Sequence, residues 1–178
     1  MKKPGILIAS IPLLAALRVM MAPLPNIEPI MLFTIPAALV LGPLAGFSLA
    51  FGSMVTSDAM MGSFQATAYT ALTYGVVGAI CGLLGRMKRG WNRSELTVLS
   101  FAMILLYDLV TASFFALQFM IPVPIALMNQ IPFTILHSSG CVLVFLFAPS
   151  LMKAVKMMDE FSFSKLPGSL RLHLHRTD

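Results

Sequence analysis

The chain has 178 residues, of which 58% are hydrophobic and only 11% charged, and its mean hydropathy is +0.88. A soluble domain of this length carries about a quarter charged residues, so there is too little polar surface here to coat a water-soluble globule. Its net charge of +5 comes mainly from three basic clusters and not from a basic folded domain, which excludes a nucleic-acid surface and indicates an integral membrane protein.

In chain order, Lys2 and Lys3 precede an apolar run over 5–22. That start imitates a secretory signal, but prolines and Arg18 interrupt its later part and further apolar runs follow. It reads as the first membrane helix. The stretch "PLPNIEPIM" comes next, with three prolines, Asn26 and Glu28 in nine residues. Proline fixes its own φ and restricts the residue before it, so this connector is stiff and extended. Two short apolar segments follow, 29–41 and 43–57, parted by Gly42-Pro43, where Gly frees the backbone and Pro restarts a helix. A fourth segment covers 64–85, a fifth 95–117 and a sixth 124–148.

A full span needs about 20 apolar residues, so 29–57 is either two short helices or one long kinked one. Charge decides. With two passes, Lys2/Lys3, the loop "RMKRGWNR" and the basic residues from Lys153 onward share one side, as the positive-inside rule prefers. The reading is therefore an all-α integral membrane protein, a compact bundle of six transmembrane helices with both termini cytoplasmic. Residues 1–158 form the membrane domain, and 159–178 a polar tail that is interfacial or disordered. The outer connectors are then 23–28, 58–63 and 119–124. Gly75, Gly78, Gly82 and Gly85 line one face of the fourth helix, and Gly42 and Gly46 repeat the spacing. Small residues so spaced let membrane helices approach closely; internal packing is favoured over a surface for a partner.

Between 5 and 85 the only charged residues are Arg18, Glu28 and Asp58, and between 96 and 152 the only one is Asp108. An ionisable group in hydrocarbon costs several kcal/mol unless paired or wetted, so each marks a candidate site. Gln130, Thr134, His137 and Cys141 form a stripe on the sixth helix; Gln65, Tyr69 and Thr73 form one on the fourth. Topology puts Arg18, Asn26, Glu28, Asp58, Gln65, Tyr69, Asn129 and Gln130 in the outer half, with Asp108 and His137 deeper. The expectation is one polar pocket open to the outside and floored by Asp108 and His137. Arg18 either contacts the ligand or pairs with Glu28 or Asp58. Tyr74 and Tyr107 read as packing residues.

Other chemistries find little support. Cys81 and Cys141 lie in apolar runs with no metal-ligand spacing, and neither a His-Glu-x-x-His nor a Walker A pattern occurs. Asp58 and Asp108 are expected at different depths, too far apart to act as an aspartyl pair. No cofactor is expected. Two alternatives remain beside a binding subunit: a stand-alone small-solute or proton-coupled permease using Asp108 and His137, and an intramembrane enzyme.

The combination of "PNIEP", "GPLAGFSLAFGSMVTSD", "MGSFQATAYTALTYGVVGAICGLLGR", an Asp in the fifth helix and a His in the sixth resembles the substrate-binding S component of energy-coupling factor (ECF) vitamin transporters over roughly 14–148. The resemblance implies a multi-pass protein of the prokaryotic plasma membrane that captures a vitamin or related micronutrient from outside. It also implies association with a T component and two ABC ATPases, which use the ATP, and no enzymatic activity in the chain itself. It places the pocket near the outer surface, among the first and third outer loops and helices four to six. The family's Ala-x-x-x-Ala contact for the T component corresponds here to Ala9…Ala15-Ala16, without that spacing. The N-terminal histidine of the nickel and cobalt branch is absent, so the mixed residue set points to a small polar or zwitterionic organic molecule with a ring.

Overall fold

The structure is a computed structural model that describes residues 4–23 and 29–164, with side chains described for 9–23 and 29–158. It is all-helical: α1 (Pro4–Met21), α2 (Pro29–Leu41), α3 (Pro43–Met61), α4 (Thr67–Met87), α5 (Arg93–Gln118) and α6 (Val123–Ser164). Three stretches are long and apolar enough to cross a membrane: 67–87, 93–118 and 123–158.

Sequence punctuation sets the helix ends. Pro29 and Pro43 each stand at a first helical position, where a missing N–H costs nothing. The single residue between α2 and α3, Gly42, has φ 94°, a conformation that side chains resist. Segment 29–57 is thus two helices. α3 ends on Gly62 in the left-handed region, with Gly62 N–H on Ala59 O and Ser63 N–H on Asp58 O. α5 starts with a capping box: Asn92 accepts from Glu95 N–H, and the Glu95 carboxylate accepts from Asn92 N–H. Lys88 adds a 2.6 Å bond to the same carboxylate and lies over the Trp91 ring, so the basic loop is locally ordered.

One expectation needs correcting. α6 continues past Ala148 to Ser164, six residues into the stretch read as a tail. Pro149 resembles a stop, but a proline inside a helix removes only one backbone bond, and the next breakers are Pro167 and Gly168. At about 1.5 Å per residue, the 42 residues of α6 greatly exceed a hydrocarbon core about 30 Å thick. Lys153 and Lys156 lie exposed on that extension.

α2 sits at the centre, against α1, α3, α4 and α6, while α3 packs on α4 and α5 on α6. Nine of its thirteen residues are buried, as befits a helix apolar on all sides. Apolar burial gains little between helices in lipid, so close packing must hold the bundle together. The α4 glycines provide it. A methyl at Gly46 would meet the Gly78 carbonyl and one at Gly78 the Gly46 carbonyl, while one at Gly82 would strike Pro43 and one at Gly85 the Leu39 backbone. The glycine face is therefore an internal seam that receives α3 and the α2–α3 turn.

Candidate functional site

The polar residues picked out in the sequence form two separate groups. The first joins the ends of α1 and α3 to the start of α4. Arg18 Nη1 donates to Asp58 Oδ1 at 2.6 Å and to Ser57 Oγ at 2.7 Å, and Thr67 Oγ1 donates to Asp58 Oδ2 at 2.7 Å. Both Asp58 oxygens are satisfied and its side chain is 7% exposed. Of the two partners considered for Arg18, Asp58 is seen to pair with it. Asn26 and Glu28 lie outside the described residues.

The second group is buried between α5 and α6. His137 Nδ1 stands 3.0 Å from Asp108 Oδ1, with side chains 7% and 4% exposed. Tyr107 meets the His137 ring edge-on at 5.8 Å, and Tyr74 packs on Tyr107 at 4.3 Å, so two tyrosines brace the pair. Asp108 Oδ2 and His137 Nε2 have no hydrogen-bond partner among the described residues and are sealed from solvent. Leaving a buried polar atom unpaired costs about 1–3 kcal/mol, more when it is charged, so the arrangement is not optimised for stability alone.

Beside this pair lies a cavity between α1, α2, α5 and α6. Its walls are Leu17 and Met21 of α1, Pro29 and Met31–Phe33 of α2, Ile104 of α5, and His137, Gly140, Leu143 and Val144 of α6. Among the described residues, His137 is the one predicted site residue that lines it. Arg18 follows the wall residue Leu17 directly, so its bond to Asp58 anchors the α1 side of the cavity. The other candidates are elsewhere: Gln65 is exposed and its backbone carbonyl accepts from Gln118 Nε2 at 3.2 Å, Tyr69 stacks on Phe114 at 5.8 Å, and Gln130 is half-buried on α6.

Sequence reasoning missed Met31, Leu32, Phe33 and Gly140. The α2 residues carry no polar mark that would separate a wall residue from a core one. Gly140 did leave a signal: it lies three residues after His137, where a helix brings it onto the same face, and nothing stands within 4 Å of a methyl built there.

Long apolar helices around an apolar recess, with a buried acid and imidazole beside it, are the build of a helical membrane protein. The sequence model of the ECF-type riboflavin transporter S component family matches residues 4–156, most of the chain. The chain belongs to that family: it is a substrate-specific transporter subunit and not an enzyme. No curated protein and no solved structure matches it.

Proposed function

We propose that this chain captures a flat vitamin at the outer side of the cell membrane, for uptake driven by ATP hydrolysis in partner subunits, and that the α1–α2–α5–α6 cavity holds it. The family's name makes riboflavin the first ligand to test. The carrying observation is the family match over residues 4–156; the cavity, about 90 Å³ with apolar walls and His137 at its edge, is the candidate site and must widen to admit a ring system. Arg18, Asp58 and Thr67 hold the adjoining helix ends together, so they shape the site from behind. Asn26 and Glu28 lie in sequence between the wall residues Met21 and Pro29, which makes them the first residues of the connector to substitute.

The chain crosses the membrane six times, with α2 and α3 as two short passes and all basic clusters on the cytoplasmic side. A T component and two ATPases complete the importer. Thermal unfolding of the purified protein against a vitamin panel tests the capture reading. A ligand at 100 times its dissociation constant adds about 2.7 kcal/mol of stability. Stabilisation by riboflavin supports the proposal, and a panel with no effect at saturating concentrations removes it. The buried Asp108–His137 pair also suits a proton-coupled permease. Uptake that persists in a host without ECF ATPases, and is lost in Asp108→Asn, would establish that reading instead.

A further inference from the structure

We propose that Arg93, laid on the ring of Phe145, binds the phosphate of an anionic phospholipid headgroup, with Arg89 on the same loop adding to the attraction. The inference rests on the membrane-spanning reading above and needs neither the vitamin nor the sidedness of the chain. The two ends of the bundle differ in charge balance. At one end Arg18 is matched by Asp58. At the other stand Arg86, Lys88, Arg89, Arg93, Lys153 and Lys156, all exposed. Among the described side chains the acid at that end is Glu95, and Lys88 already bonds it at 2.6 Å. Glu160 follows Lys156 by one helical turn, so Lys156 is left out of the site. The remaining cations have no acidic partner among the described side chains, so their counter-charge must come from outside the chain.

Geometry singles out Arg93. The loop before α5 is held in place: Lys88 lies over the Trp91 ring at 5.2 Å, and Trp91 Nε1–H donates to Lys88 O at 3.1 Å. The Arg93 guanidinium carbon stands 5.9 Å from the centre of the Phe145 ring. Phe145, Leu146 and Phe147 are 40%, 48% and 51% exposed, and in a membrane such apolar side chains face lipid. Arg93 therefore keeps its charge at the edge of the hydrocarbon, where a cation without an anion is costly. Lipid phosphate is the anion found at that depth. A guanidinium fork also matches two phosphate oxygens at once, which an ammonium does not. An acidic protein surface would have to displace lipid from α6 to reach the same group.

Trp91 is the chain's one tryptophan and stands two residues before Arg93, so its fluorescence reports on lipid at this place. The test is quenching of Trp91 by phospholipids with brominated acyl chains, in the full-length protein reconstituted in phosphatidylcholine bilayers. Brominated phosphatidylglycerol and brominated phosphatidylcholine are compared at equal mole fractions, and wild type is expected to prefer the anionic lipid. Arg93→Gln is expected to lose about tenfold or more of that preference, as when a hydrogen bond to a charged group is removed. Lys153→Gln is expected to lose no more than the roughly fivefold that one diffuse charge near an anionic surface contributes. Arg93→Lys, which keeps the charge without the fork, is expected to resemble Arg93→Gln more than wild type. Equal quenching by the two lipids in wild type overturns the inference and leaves the basic end to an acidic protein partner. Equal losses in Arg93→Gln and Lys153→Gln overturn it as attraction without a site. A preference that vanishes when chloride is replaced by inorganic phosphate at equal ionic strength assigns Arg93 to a free anion and overturns lipid binding. No quenching by either lipid would overturn the membrane-spanning reading as well. The wild-type comparison requires no variant to fold, and no outcome depends on riboflavin.

Discussion

Arg18 and Asp58 show how a buried charge left open in the sequence finds a partner in the fold. The sequence leaves Arg18 divided between a ligand and a neighbouring carboxylate; a 2.6 Å bond to Asp58, with Ser57 and Thr67 completing the network, gives it a structural partner. Removing one member of a buried pair strands the other, which typically costs about 3–5 kcal/mol. Arg18→Ala is expected to lower the melting temperature sharply in detergent, whereas Ser113→Ala, on a half-exposed helix face, is expected to leave it within error. A melting curve for Arg18→Ala that overlays wild type would show that the network carries no stability. Asp108 and His137 present the opposite case. The sequence set both at the floor of one pocket, as a lone acid and a lone imidazole on consecutive helices, and the fold brings them to 3.0 Å. Their unpaired second atoms were not legible, because those depend on what packs around them.

At the element scale, the α3–α4 seam and the α5 start make distinct predictions. Gly78→Ala places a methyl against the Gly46 carbonyl and the Phe47 backbone, which cannot yield as a side chain can. Overpacking of this kind costs about 1–3 kcal/mol, while Gly62→Ala meets no neighbour and pays only for its left-handed backbone, about 1 kcal/mol. Urea or thermal unfolding of both variants ranks them; a milder effect at Gly78 than at Gly62 would contradict the seam. At the start of α5 the Glu95 carboxylate accepts hydrogen bonds from Lys88 and from Asn92 N–H. Protonating that carboxylate removes its charge and weakens both bonds. The difference in melting temperature between wild type and Glu95→Gln is therefore expected to shrink on acidification. A difference independent of pH would show that the carboxylate does not stabilise the helix start. The glycine spacing made the seam legible, and "WNRSE" carries the cap in its sequence; the length of α6 was hidden because Pro149 looks like a terminator while being tolerated inside the helix.

For the molecule as a whole, hydropathy and charge were enough for the helix count and order, and the Gly42-Pro43 turn for the split of 29–57. The cavity was only partly legible. The sequence argument gathered polar residues into one pocket, whereas the fold ties Arg18 to Asp58 and walls the cavity with apolar residues of α1, α2, α5 and α6 that look like any others. Topology can be checked because Cys81 and Cys141 are both buried and give little background to a thiol reagent. A membrane-impermeant reagent is expected to label Ser63→Cys on intact cells and to reach Arg89→Cys only after lysis. Labelling of Arg89→Cys but not Ser63→Cys on intact cells would contradict two passes between 29 and 61.

The central claim, that the α1–α2–α5–α6 cavity is the ligand site, is tested most directly at Gly140. A leucine there starts from a Cβ with no neighbour within 4 Å on the cavity wall, on a helix that tolerates glycine poorly. Thermal unfolding of wild type and Gly140→Leu should be compared with and without saturating riboflavin. The account predicts similar melting without riboflavin and a large riboflavin-induced rise in wild type alone. An equal rise in both proteins would place the ligand elsewhere and contradict it.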